Sequence, residues 1–283
     1  MRNHQHELAI SVFASTDVGR CRAGNEDSFL IAELTDKSCE PRPQHKSSSG
    51  AIALMVVADG MGGAAAGEVA SRLAVNSLRG SVSELPDDCS CEMRLRRAVE
   101  LANRQVWEEA QRRPEQRGMG TTLTAALIWD GHLCVAQVGD SRAYLIRDRR
   151  ITQLTRDQTL VQSLIDAGIL TAEEALRFPN RNVILQAVGA EPEVQVALTK
   201  VTLRQGDYLL LCSDGLSNKI AELEMRFAIE NTATPEDACR LLVDWANARG
   251  GEDNITVLIA RFDGDGLRAA EEEDQRREVK LAA

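Results

Sequence analysis

Acidic residues in this chain recur where apolar runs end or begin. Asp59 closes the run in VVADGMGG (56–63), Asp140 follows HLCVAQVG (132–139), and Asp214 follows DYLLLCS (207–213). Asp253 lies in GGEDNITVLIA, ahead of an apolar run, and Glu26 and Asp27 stand ahead of SFLIAEL (28–34). A carboxylate at the rim of a buried sheet is costly unless something positive meets it. Several of them close together cannot all stay ionised without compensation. Every candidate ligand is a hard oxygen, and none of the four histidines, His4, His6, His45 and His132, stands beside one of these acidic residues. Oxygen-only coordination suits magnesium or manganese rather than zinc. Asp59 and Asp214 are each followed by glycine, which permits a tight turn and lets backbone carbonyls approach an ion. Taken alone, Asp-Gly after an apolar run is a common turn, and Asp140 alone is equally a cap for the turn into Ser141 and Arg142. The ordered set NED, ADGMGG, GDSR, SDG and GEDNIT is what favours a metal centre.

For these groups to meet, the strands that carry them must share one rim. ELAISVFAST (7–16), SFLIAEL (28–34), AIALMVVA (51–58), TTLTAALIW (121–129), HLCVAQVG (132–139) and SRAYLIRD (141–148) read as strands, as do VQVALTKVTL, DYLLLCS and NITVLIARF further on. In an antiparallel sheet, a residue after an up-strand and one before a down-strand lie at the same end. The simplest topology therefore gathers Asp17, Glu26, Asp27, Asp59, Asp140, Asp214 and Asp253 on one edge. GEVASRLAVNSL reads as a helix, and MRLRRAVELANRQVWEEAQRR sets Leu95, Val99, Ala102 and Val106 on one face, with Pro114 as the stop. TPEDACRLLVDWANARGG is a third helix, capped by Thr234 with Pro235 at its first position. Between residues 152 and 190 the pattern turns helical, and Thr171 with Glu174 forms a capping box. Residues 35–50 read as an exposed polar loop. Many strands with paired helices favour sheet stacked on sheet with helices outside.

The bulk numbers narrow the function. The chain has 283 residues, 43% hydrophobic and 27% charged, with a formal net charge of −10. That charge argues against nucleic acid as the main partner. No stretch reaches the ~20 apolar residues of a membrane span, and the first residues, MRNHQHELAI, lack the apolar core of a secretion signal. The expected location is the cytoplasm. The seven cysteines, Cys21, Cys39, Cys89, Cys91, Cys134, Cys212 and Cys239, are odd in number and scattered, so free thiols are expected rather than a disulfide framework.

Taken in order, TDVGRCRAGNEDSF, VVADGMGG, GMGTTL, VGDSRAYL, LTRDQTL, RNVILQAVG, LLLCSDGL and GGEDNIT resemble the metal-dependent protein phosphatases of the type-2C (PPM) family, in their compact bacterial serine/threonine form. The resemblance runs from Thr16 to Thr256. It implies an α+β fold, a four-layer αββα sandwich of two antiparallel sheets flanked by helix pairs, with a small helical flap. By motif position Asp59 bridges two Mn2+ or Mg2+ ions, Asp214 and Asp253 complete the first, and the Gly60 carbonyl binds the second. Glu26 and Asp27 orient waters on the metals, Asp140 joins a third, weaker site, and Arg22 binds the phosphate. The domain spans residues 8–263 with the flap at about 148–190, between a flexible 1–7 and a charged, disordered tail, 264–283.

The implied activity is hydrolysis of phosphoserine and phosphothreonine in proteins by water activated at a binuclear centre. Two cations lower the pKa of a bridging water and stabilise the entering and leaving oxygens. Arg22 offers a planar fork suited to two phosphoryl oxygens. Cys21 and Cys212 lie near the motifs in sequence, yet neither sits in a phosphate-cradling glycine loop, so no cysteine nucleophile is expected. Expected partners are phosphorylated proteins and an opposing serine/threonine kinase, with the enzyme a monomer that binds neither nucleic acid nor membrane. Two other readings compete: a catalytically silent phosphoprotein-binding module of the same fold, and a different two-metal hydrolase such as a nuclease. The chain also departs from the family. Met61 stands where eukaryotic relatives often carry histidine, and Gln158 and Phe178 replace frequent flap histidines. Asn218 stands where some relatives add a carboxylate.

Overall fold

The computed structural model describes residues 8–34, 44–48, 53–62, 66–84, 89–129, 131–175, 177–179, 182–264, 267 and 280–282. Two antiparallel sheets face each other. The first runs, in order across the sheet, through β3 (Gln44–Ser48), β1 (Ala9–Asp17), β12 (Ile255–Asp263), β11 (Tyr208–Cys212), β8 (Arg142–Arg147) and β9 (Arg150–Gln153). The second runs through β13 (Lys280–Ala282), β10 (Ala197–Thr202), β7 (His132–Val138), β6 (Leu123–Trp129), β4 (Ala53–Met61) and β2 (Asp27–Glu33), with the short β5 (Gly120–Thr121) paired to β4.

Strand alternation explains the layering. On β4, Leu54, Val56 and Ala58 join the core beneath helices α1 (Ala66–Glu84) and α2 (Cys91–Arg112), while Ala53, Met55 and Val57 join the core between the sheets. A strand covered on both faces must be apolar throughout, which is why its run is unbroken. β12 behaves likewise: Leu258, Ala260 and Phe262 face the other sheet, and Ile255, Val257 and Ile259 face an outer helical layer. That layer comprises α5 (Asp214–Ser217), α6 (Glu222–Glu230) and α7 (Pro235–Ala248). The expected αββα sandwich is the observed one. Leu95, Val99, Ala102 and Val106 are buried as their helical spacing requires, and the Thr234 hydroxyl caps α7 by accepting from the Asp237 N–H.

The flap lies between β8 and β10 and holds β9, α3 (Leu160–Asp166) and α4 (Ala172–Ala175). Its capping box is formed: Thr171 Oγ1 accepts from the Glu174 N–H at 3.2 Å, and Glu174 Oε2 accepts from the Thr171 N–H at 2.8 Å.

Several expectations need correction. The loop expected at 35–50 contains β3, which pairs antiparallel with β1 and covers what would be an open edge. Cys91 and Cys134 form a disulfide, against the expectation of free thiols. The start of α2 packs over β7 and brings their Cα atoms to 6.3 Å, a proximity that only the tertiary fold creates. Helix α6 goes unread in the sequence because Leu223 and Phe227, at 66% and 57% exposure, blur its apolar face. The flexible 1–7 and most of the tail 264–283 lie outside the described residues. Within that tail, Lys280–Ala282 pairs with β10 as β13.

Candidate metal centre

Strand pairing brings the acidic residues together. In the antiparallel β2–β4 pair, Asp27 stands directly opposite Asp59. Asp59 lies inside β4 rather than after it, because β5 extends the pairing by holding Gly60 and Met61. Asp214 opens α5 immediately after β11, and Asp253 stands two residues before β12, which pairs with β11. Asp140 sits in the turn between β7 and β8. The two glycines of the Asp-Gly pairs are fixed by close backbone approach. A Cβ at Gly60 would lie 2.2 Å from the Gly67 carbonyl oxygen, and one at Gly215 would lie 2.0 Å from that of Asn254. Only a residue without a side chain lets β4 meet α1, and α5 meet the start of β12, so tightly.

Arg22, Glu26, Asp59, Gly60, Met61, Asp140, Asp214 and Asp253 line one cavity of about 520 Å³. Asp27 is buried behind that wall. Its Oδ2 accepts from Ser213 Oγ at 2.8 Å and from Thr256 Oγ1 at 2.7 Å, while Oδ1 has no hydrogen-bond partner. Asp214 Oδ1 is likewise without one, and its Oδ2 accepts from Asn218 Nδ2 at 3.0 Å. Arg22 donates to Asp253 Oδ2 at 2.7 Å with half its side chain exposed.

Charge accumulates here beyond what the protein neutralises. Burial, reinforced by the charges of Asp214 and Asp253, pushes Asp27 up to about 7 against two hydroxyl hydrogen bonds that pull it down. Burial and the Asp214 and Asp157 charges push Asp140 up to about 7, with Arg142 opposing. Asp59 is held well above the usual aspartate range by burial and by Asp27, Asp214, Asp140 and Asp253. Asp214 rises through burial and the Asp253 charge, and Glu26 through burial. An all-oxygen donor set, two orphaned buried carboxylate oxygens and carboxylates that resist ionisation together fit hard divalent cations.

Asp17, expected on the same edge, does not join the centre, and the two flap positions lie around it. Asp17 Oδ1 accepts from the Gly19 N–H and from Asn247 Nδ2, so it fastens a loop. Phe178 is half-buried in the flap and is not on the cavity wall. Gln158 ties the flap root to the turn bearing Asp140: its Oε1 accepts from the Gly139 N–H at 2.8 Å, and its own N–H donates to the Gly139 carbonyl at 3.0 Å. Arg142 clamps the same root through a two-pronged contact, donating from Nε to Asp157 Oδ1 at 2.9 Å and from Nη2 to Oδ2 at 2.6 Å.

The sequence reading did not single out the residues that hold this wall. Ser213 and Thr256 orient Asp27, and Thr122 Oγ1 accepts from the Asp59 N–H. Asn254 accepts from the Glu26 N–H at 2.8 Å and donates to the carbonyls of Val18 and Gly24, fastening the loop that carries Arg22. The available signal was a small polar residue close to Asp214 and Asp253, namely Ser213, Asn254 and Thr256; Thr122 carried none.

The family model described as protein phosphatase 2C matches residues 35–247. The serine/threonine phosphatase stp of Listeria monocytogenes is 38% identical over 251 residues, covering 88% of this chain and 94% of that protein. The crystal structure of the Mycobacterium tuberculosis serine/threonine phosphatase PstP/Ppp superposes with a TM-score of 0.77 at 36% identity, over 90% of this chain and 99% of that one. A structure of the PstP catalytic domain in complex with two manganese ions superposes with a TM-score of 0.75 at 36% identity, over 90% and 99% of the two chains. Sequence, sheet order and the gathered carboxylates thus agree: the chain belongs to the protein phosphatase 2C family.

Proposed function

We propose that this cavity removes phosphate from phosphoserine and phosphothreonine in proteins, with a pair of Mn2+ or Mg2+ ions held by its carboxylates. The observation that carries this reading is the meeting of Asp59, Asp214 and Asp253 with Arg22 in one cavity, next to carboxylate oxygens that no protein donor satisfies. Asp59, Asp214, Asp253 and the Gly60 carbonyl would hold the two ions, and Asp140 would hold a weaker third. Bound divalent ions supply charge neutralisation for the phosphoryl group and lower the pKa of the attacking water.

The chain's own residues do the rest. Arg22 is released from Asp253 to receive phosphoryl oxygens through its planar fork. Glu26 and Asp27 accept hydrogen bonds from water and fix its orientation, Asp27 being held in turn by Ser213 and Thr256. Met61 has no proton to give, so protonation of the leaving seryl oxygen falls to water rather than to this side chain. Phosphoryl transfer rests on positioning and charge, and needs no covalent nucleophile. Burial holds the Cys212 thiol up at about 12, which makes it inert as one.

Monomeric action opposite a serine/threonine kinase in the cytoplasm completes the proposal. The net charge of −10 disfavours nucleic acid. Among the described residues no helix is long and apolar enough to cross a membrane. The test is manganese-dependent release of phosphate from a phosphoseryl peptide, abolished by Asp59→Ala and by Asp214→Ala. No turnover with manganese present would overturn the reading.

A further inference from the structure

We propose that the flap segment 182–185 is the edge onto which the extended backbone of the phosphoprotein docks, beside the phosphate site. This rests on the phosphatase reading and concerns how the polypeptide around the phosphoserine is held. Thr159 and Ile184 face each other as an isolated antiparallel bridge. The hydrogen bonds flanking it run from the Leu160 N–H to the Val183 carbonyl and from the Leu185 N–H to the Gln158 carbonyl, both at 2.8 Å. In that wide pairing the peptide groups of the two facing residues point away from each other. One side of the segment is thus committed to the flap root, and the Ile184 N–H and C=O face outward. Among the described residues neither has a hydrogen-bond partner.

The segment borders the site already described. Asn182 and Ile184 line the same cavity as Arg22 and the carboxylates. Val183 and Leu185, which alternate with Ile184 and so point from the opposite face of the segment, are 44% and 53% exposed. An unpaired strand edge with exposed alternate side chains is the arrangement that accepts an added strand, main-chain hydrogen bonds giving affinity and side-chain contacts giving selectivity. The occupant is fixed by position. Arg22 and Ile184 line one cavity, so a chain whose phosphate reaches Arg22 runs beside this segment, and substrate backbone is the occupant proposed. The flap root is stiff enough to serve, since Gln158 and the Arg142–Asp157 contact hold it to the turn bearing Asp140.

The test uses the unaltered enzyme with manganese and a set of phosphoseryl peptides, each N-methylated at one backbone position flanking the phosphoserine, with p-nitrophenyl phosphate as a substrate lacking a peptide chain. An edge-paired strand presents its amides alternately, so methylation at positions of one parity should lower kcat/KM about tenfold while the other parity changes it less than about twofold. In parallel, the Ile184 amide should exchange more slowly when a non-hydrolysable phosphonate peptide is bound, and not with inorganic phosphate. Equal tolerance of methyl groups at every position, or an Ile184 amide indifferent to the peptide, would overturn the docking edge while leaving the phosphatase reading intact. Failure to hydrolyse both the unmethylated peptide and p-nitrophenyl phosphate would remove that reading and this proposal together.

Discussion

The residues that give this centre its character are those pointing at it from behind. Ser213 and Thr256 both donate to one oxygen of Asp27 and leave the other turned free. Outer partners of this kind change metal affinity or activity by about 10–100-fold when removed. Ser213→Ala and Thr256→Val are each expected to lower kcat/KM on a phosphopeptide within that range, and unchanged activity would show that Asp27 needs no orientation. Arg22→Lys keeps the charge but loses the fork, and a fall in kcat/KM of about tenfold on a phosphopeptide is expected. At this scale the acidic members were legible because charge at the end of an apolar run is conspicuous. Ser213, Thr256 and Asn254 were not, because a small polar residue at a strand end reads equally as a turn cap until the partner from a distant segment is known.

Elements meet at this site more closely than side chains allow. With a Cβ at position 215 placed 2.0 Å from the Asn254 carbonyl oxygen, Gly215→Ala forces α5 away from the start of β12. The expected loss is about 1–3 kcal/mol in a denaturant midpoint series, typical of overpacking, together with weaker metal binding. Stability equal to the parent would mean that the approach relaxes without cost. On the flap, Arg142→Ala leaves Asp157 without its partner where side-chain exposures are 26% and 13%. About 3 kcal/mol of destabilisation is expected from breaking such a pair, read in the same series, with faster amide exchange at residues 155–158. Most strands and the long helices were legible from periodicity and caps. β3, α6 and β13 were not. β3 is a polar edge segment and β13 only three residues long, and the strand state of each is conferred by the neighbour it pairs with, β1 or β10. The disulfide is hidden for a related reason: α2 and β7 are brought together by packing, and no cysteine spacing encodes it.

The αββα order of the whole molecule rests on strands such as β4 and β12 that are apolar on both faces; many strands with paired helices made stacked sheets legible, and the family resemblance supplied the four-layer order. Its consequence is electrostatic. Asp27 and Asp140, each pushed up to about 7, hold protons more tightly in the folded protein than in the unfolded chain, where aspartate titrates near 3.9. Their contribution to stability is fully present below that lower value and is lost as pH rises through about 7. Between about pH 5.5 and pH 8 the metal-free protein is expected to fall in Tm, and manganese should restore most at the upper end, where its ligands are deprotonated. Calorimetry with a chelator and with manganese checks this, and a metal-free Tm that rises over that interval would contradict it. The most direct measurement of the central claim is an anomalous-scattering map of crystals soaked in manganese. Two peaks among Asp59, Asp214, Asp253 and the Gly60 carbonyl are the predicted result; a map with no peak in that cavity would contradict it.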